Sequence, residues 1–394
     1  MPLILHINDK ITRSGGVEAY IDQLLVADWP SAWSHLLLGA SLRGMQVTID
    51  STDSSLEWSG GIEDLESAPV FQSMRQQGGL FHVHSLSEPK LLEQLFALAP
   101  VVRTIHEPRI FCPGQGKYWA KTESICSVPC GLHCFYHAYT KQCCNRHPKR
   151  LWRQYQNTRY ELHSASKRYA RLLANSSYTL EEAIRAGVSP ENVELLYLFT
   201  PAAPEATVSA NRIHLLYVGR LSQTKGVHYM LRAFALVVKA FPKVHLDILG
   251  AGHDEAVFHA LAEELGLMEN LTFHGWSSSE QVVAHTERAS LLLFPSIYPE
   301  AFGLSGIEAM MRGKPVVGFD VGGVKDWLRH EETGLLVPVK DTQGFADAVT
   351  RILEDDELRL QMGKRAREIA LAEFSEEVHI QKLIKIYEAA LSVD

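Results

Sequence analysis

The sequence predicts an α/β chain of two doubly wound, Rossmann-like domains. Three observations lead to that class. Short apolar runs alternate with helix-period segments along most of the chain, the pattern of parallel strands joined by helical crossovers. Each half opens with an apolar run, a glycine-bearing loop and an amphipathic segment: Pro2–Ile7 ahead of Gly15 and Gly16, and Ile213–Val218 ahead of Lys225 and Gly226. Between them, the Pro/Ala-rich run 201–210 reads as a linker. The expected division is an N-terminal domain over 1–200, a linker over 201–211, a C-terminal domain over 212–374 and a last helix over 375–394.

Composition bounds the function. The 394 residues, 46% hydrophobic and 21% charged, are those of a globular protein with room for large cores. A net charge of −8 and the lack of a binding module argue against a nucleic-acid partner. The first residues lack the basic and long apolar regions of a signal peptide, and no run is long enough to span a bilayer. The expected location is the cytoplasm.

In order, Pro2–Ile7 is the first strand and 19–26 the first helix. Gly15 and Gly16 let the backbone between them come close to a ligand. His35–Leu38 and Gln46–Asp50 are further strands. Residues 51–79, rich in Ser, Gly and acids, read as surface loop and short helix. Leu80–His84 is a buried strand, Lys90–Ala99 a helix stopped by Pro100, and Val101–Glu107 the next strand. That places His106 and Glu107 at a carboxyl strand end, which faces the ligand crevice of a doubly wound sheet. An imidazole there can bond a sugar hydroxyl or position an acceptor proton.

All six cysteines fall between 112 and 144: Cys112, Cys126, Cys130, Cys134, Cys143 and Cys144. A long loop with little apolar periodicity needs something to hold it. A structural thiolate site on Cys126, Cys130, Cys134 and Cys143 would do so, zinc first and iron–sulfur second; disulfides and free thiols are the alternatives. Residues 141–171 carry nine Lys/Arg and one acid, with Trp152, Tyr155, Tyr160 and Tyr169 interleaved. This is either a solvated helix face or a contact for an anionic surface at the inner face of a membrane. Arg171–Ser177 runs as a strand into a helix at 178–186, and Val193–Tyr197 is the last strand of the first half.

The second half repeats the alternation: a strand at 213–218, a helix to about residue 240, strand Val244–Gly250, helix 254–265, strand Leu271–Gly275 and helix 279–288. Arg220 and Lys225 share one strand-to-helix loop, where two cations can clamp a diphosphate. Gly250 closes a strand at a turn, Gly250-Ala-Gly252, that would suit a base or ribose edge.

The stretch from Tyr298 to Gly318 organises the chemistry. A helix over Gly303–Arg312 must fit between strands 289–295 and 315–319. Glu300 lies ahead of it and Glu308 inside it. Gly303 frees the backbone where it turns into the helix, and the N–H groups of 303–305 make an anion site. A carboxylate on either side can accept from sugar hydroxyls. Phe302, Gly303 and Leu304 join the donor site on this reading.

Pro299-Glu-Ala-Phe-Gly-Leu304, Gly306-Ile-Glu-Ala-Met310 and Gly313-Lys-Pro-Val-Val317 together resemble the E-x7-E signature of the family 4 retaining glycosyltransferases, which have the GT-B fold. The resemblance implies two such domains facing across a cleft, the donor on the second and the acceptor on the first. It implies transfer of a hexose, with retention, from a UDP- or GDP-sugar to a glycan or lipid-linked acceptor. Glu300 would hold the donor sugar, Glu308 the ribose, Arg220 and Lys225 the phosphates, and His106 the reacting face. Gly15, Gly16 and Glu18 match the family's first loop, Gly16 toward the donor and the other two toward the acceptor; Gly275-Trp276 falls where relatives cover the base. Glu107 stands where the family has Asp. No Asp-x-Asp stretch is placed to hold the diphosphate through a metal, so no cofactor is expected for transfer. A sugar-nucleotide epimerase or phosphorylase of the same fold, and a non-catalytic nucleotide-sugar scaffold, are the rival readings.

Overall fold

The computed structural model describes residues 2–9, 15–43, 45–51, 56–205 and 213–392. Residues 10–14 of the first glycine loop, 206–212 at the linker and 393–394 lie outside the described residues. The chain divides into two compact units. One comprises 1–122, 126–199 and 376–394; the other comprises 123–125 and 200–375.

The first unit opens with β1 (Leu3–Asn8), α1 (Gly16–Val26), β2 (Ser34–Arg43), β3 (Gln46–Ser51), β4 (Trp58–Gly61), α2 (Pro69–Gln77), β5 (Gly79–Val83), α3 (Pro89–Leu98) and β6 (Val101–Ile105). In the cysteine region come the short strands β7 (Tyr118–Trp119) and β8 (Ser124–Ile125), then α4 (His133–Thr140) and α5 (Pro148–Lys167). The unit continues with β9 (Arg171–Ala174), α6 (Ser177–Arg185) and β10 (Val193–Leu195). Its main sheet runs β10-β9-β6-β5-β1-β2-β3-β4. From β10 to β2 neighbours are parallel; β3 and β4 add on antiparallel. Strands β5 and β6 are buried throughout, as expected where helices cover both faces of a parallel sheet.

Residues 51–79 correct the sequence reading. From residue 56 on, the short helix forms as expected (α2), but the rest is not surface loop: β4 extends the sheet, and Ile62, Leu65, Val70, Phe71 and Met74 belong to the core. The glycines and acids of 58–66 broke the apolar pattern that normally reveals such a segment. Gly60 and Gly61 supply backbone to the sheet edge with no side chain to announce it.

The second unit holds β11 (His214–Val218), α7 (Val227–Ala240), β12 (His245–Leu249), α8 (Glu255–Glu264), β13 (Leu271–Gly275), α9 (Ser279–Arg288), β14 (Leu291–Phe294), α10 (Leu304–Met311), β15 (Val316–Phe319), β16 (Gly334–Val337), α11 (Thr342–Glu354) and α12 (Asp356–Glu373). Its all-parallel sheet runs β13-β12-β11-β14-β15-β16. Strand order reverses between β11 and β14, so their following loops diverge at that point. The last helix, α13 (Glu376–Leu391), follows the second unit in sequence and packs in the first, where it meets β5 and β6.

Candidate functional site

In the second unit, three loops meet beyond the carboxyl ends of β11, β14 and β15. Thr224, after β11, accepts on its carbonyl the backbone N–H groups of Ile297 and Tyr298, at 3.1 and 3.2 Å. Glu300, after β14, accepts on its carbonyl the N–H of Gly323, after β15, at 2.8 Å. These joins are backbone to backbone, so they require glycine. A Cβ on Gly226 (φ +67°) would lie 1.9 Å from the Pro295 carbonyl oxygen, and one on Gly322 (φ +52°) 2.2 Å from that of Glu300.

The side chains of two of these loops converge. Lys225 Nζ donates to Glu300 Oε1 at 2.6 Å, and Ser296 Oγ donates to the same oxygen. Glu300 is only 9% exposed, so these donors replace water at its carboxylate. Arg220 is exposed on the same loop as Lys225, and its carbonyl accepts from the buried Tyr217 hydroxyl at 3.0 Å. Sequence spacing suggested Lys225 for phosphates and Glu300 for a sugar; the fold joins them into one ion pair.

Gly303 caps α10 at φ +111°, a conformation that favours glycine, and an added Cβ would also touch the Phe294 ring at 2.9 Å. Phe302 is buried, and its carbonyl accepts Trp327 Nε1–H at 2.8 Å. That bond fixes the entry to α10, leaving Leu304 half-buried on its first turn. Glu308 sits one turn further in, half-buried. Desolvation raises its pKa, and Arg312 only tempers the rise. Gly250 serves packing: a Cβ there would lie 2.0 Å from the Gly219 carbonyl oxygen. Trp276 is exposed.

In the first unit, His106 follows β6 and ends a chain of imidazoles that the sequence reading missed. His35 Nδ1 bonds His6 Nε2 at 3.0 Å, His6 Nδ1 bonds His84 Nε2 at 3.1 Å, and His84 Nδ1 bonds His106 Nε2 at 2.9 Å. Burial pushes the pKa of His35 down to about 4 and that of His106 to about 3. The rings are therefore neutral, and each bond holds one proton. Their tautomers are then set together: in one state His106 Nδ1 carries a hydrogen, and in the other it is bare. The signal was present, since His82 lies on β5 and His84 just past its end, two positions on, and His6 is the register partner of His82 on β1. His82 bonds the Tyr387 hydroxyl at 2.6 Å and Thr104 Oγ1 at 2.7 Å. His6, His82 and His84 bring three ring nitrogens within 4.8 Å, but hydrogen bonds already engage them.

Glu107, next to His106, pairs with Arg109 at 2.6 Å, a partner that local spacing did not single out. Gly15 is extended (φ −168°), which any residue adopts, and a Cβ there would meet only Glu18 Oε2, at 3.0 Å. Gly16 opens α1 and Glu18 lies in its first turn. Cys126, Cys130, Cys134 and Cys143, together with Cys112 and Cys144, line one cavity.

Residues 202–369 match the family described as glycosyl transferases group 1. A D-inositol 3-phosphate glycosyltransferase of Corynebacterium aurimucosum is 32% identical over 226 residues, 52% of this chain and 53% of that protein. The chain spans about half the length of the curated relatives it matches. Among solved structures, sucrose-phosphate synthase from Thermosynechococcus elongatus superposes over 100% of both chains with a TM-score of 0.72 at 22% identity. Anabaena HepE in complex with UDP and glucose covers 99% of this chain and 100% of its own, with a TM-score of 0.68 at 18% identity. Residues 202–369 thus carry the sequence of the glycosyl transferases group 1, on a chain with the fold of GT-B glycosyltransferases.

Proposed function

We propose that this chain is a retaining hexosyltransferase that moves a sugar from a UDP- or GDP-sugar to a glycan or lipid-linked acceptor. The observation that carries the reading is the Lys225–Glu300 pair at the strand switch of the second unit, beside the N-terminus of α10. A cation, a carboxylate and free helix N–H groups are the three partners that a sugar diphosphate needs. Arg220, Lys225 and the first turn of α10 take the diphosphate. Glu300 takes the sugar hydroxyls and Glu308 those of the ribose. The bond from the anomeric carbon to the phosphate oxygen breaks. An acceptor oxygen bonds that carbon on the same face, and its proton leaves with the nucleoside diphosphate. The UDP and glucose bound by HepE support a nucleotide-sugar donor.

The acceptor side belongs to the first unit, with Gly15, Glu18 and Glu107. His106 acts there as a neutral hydrogen-bonding group, since burial keeps it uncharged. The lipid-linked acceptor is favoured by Leu132, Tyr136 and Trp152, which are 72%, 67% and 51% exposed on α4, α5 and the turn before α4. Lys149, Arg150 and Arg153 lie beside Trp152 on α5. This is the make-up of a membrane-surface contact. Among the described residues no helix is long and apolar enough to cross a membrane.

The test is a panel of UDP-, GDP- and ADP-sugars, scored by thermal shift and by nucleotide release with and without lipid extract. Stabilisation by one donor, with release that requires lipid, is the expected result. Release without acceptor would instead indicate an epimerase or hydrolase, and binding without turnover a scaffold. A Lys225→Ala variant should lower kcat/KM by about 100- to 1,000-fold, the size of effect seen when one charge-stabilising donor is lost.

A further inference from the structure

The cysteine loop holds a site that glycosyl transfer does not use. Its six thiols, separated by up to 32 positions in sequence, line one small cavity of about 20 Å³, together with His137 and apolar groups such as Phe111 and Val128. The backbone around it is held in conformations that L-residues seldom adopt. Gln115, Lys117, Glu123 and Gln142 all have positive φ, four of the six such non-glycine residues among those described. The buried Lys117 is occupied in bonding Glu182 at 2.9 Å and the Val128 carbonyl at 2.8 Å.

The spacing of the sulfurs identifies what fits. A single zinc ion draws four thiolates to about 2.3 Å from itself and into contact with one another, leaving no room for a water-sized body. Here the thiols surround a space that admits one, and among the described residues no three of the sulfurs lie within 4.8 Å of one another. They do fall into close pairs. Cys130 hydrogen-bonds Cys134, and Cys143 hydrogen-bonds Cys144. Wide sulfur spacing and an apolar wall are what a polynuclear iron centre requires.

We propose that four of these six cysteines hold an iron–sulfur cluster that fixes the 112–144 loop. The inference is independent of the donor reading, because every ligand lies in the first unit and transfer does not pass through it.

The full chain, purified without oxygen and reconstituted with ferric iron and sulfide, tests it. The expected result is bound iron and sulfide in equal amounts, with broad visible absorption that bleaches on reduction. The triple variant Cys126→Ser/Cys130→Ser/Cys134→Ser leaves too few ligands and should bind no iron, while keeping the thermal shift with sugar nucleotide that shows the second unit to be folded. Metal analysis of the unaltered protein stands whether or not that variant folds. One zinc per chain and no colour would overturn the proposal. So would six thiols that all titrate rapidly in native, reconstituted protein.

Discussion

At the scale of single residues, Glu308 shows the trade between stability and binding. Burial raises its pKa, so the group weakens the folded state in full at every pH above that raised value, and the penalty is gone only once pH has fallen below the ordinary carboxylate range. Glu308→Gln should therefore leave thermal stability at neutral pH unchanged or raised. The same change removes a charged acceptor for the ribose and should raise the donor KM about 10-fold or more. A fall in both would contradict this account. Glu308 was legible because Glu300 and Glu308 flank a glycine-led helix in one stretch. The pairing of Lys225 with Glu300 was not, since 75 positions separate them and only the strand order brings their loops together. Arg109 was hidden for a similar reason: nothing in its neighbourhood distinguishes a partner for Glu107 from an exposed cation.

At the scale of elements, glycines set how closely the loops approach. Gly226 and Gly187 both have positive φ, +67° and +97°, yet a Cβ at Gly187 would meet nothing within 4 Å, whereas one at Gly226 would collide with a backbone carbonyl. Gly187→Ala should cost about 1 kcal/mol, the backbone share alone. Gly226→Ala should cost about 2–4 kcal/mol and also weaken donor binding, because it forces apart the loops that carry Lys225 and Glu300. Denaturant midpoints of the two variants measure the difference. The strands and helices of the second unit were legible because each apolar run stands between clear turn signals. In the first unit β4 was not, because glycine erases the alternation that marks a strand.

At the scale of the molecule, the first unit carries an unusual store of neutral histidines. Burial lowers the pKa of His6, His35, His82, His84, His106 and His379. All six are depressed in the folded state, so their stability is whole above the ordinary imidazole range. It is lost as pH falls through about 6.5 toward the folded values. Below about 6.5 each costs about 1.4 kcal/mol per pH unit until its own folded pKa is reached. Circular dichroism against pH should show cooperative unfolding near pH 5, before most carboxylates are protonated. A chain that kept its structure to pH 4 would contradict the buried, neutral assignment.

The position of α13 bears on how the protein is made. His379 Nδ1–H donates to the Tyr197 carbonyl at 2.7 Å, its Nε2 accepts from the Tyr20 hydroxyl at 2.9 Å, and Tyr387 closes on His82. On the ribosome, residues 1–199 emerge first, yet the helix that covers their histidines is translated only after the whole second unit. The first unit therefore waits, with an open polar seam, until synthesis of residues 376–391, and its completion is timed by the folding of the domain encoded between.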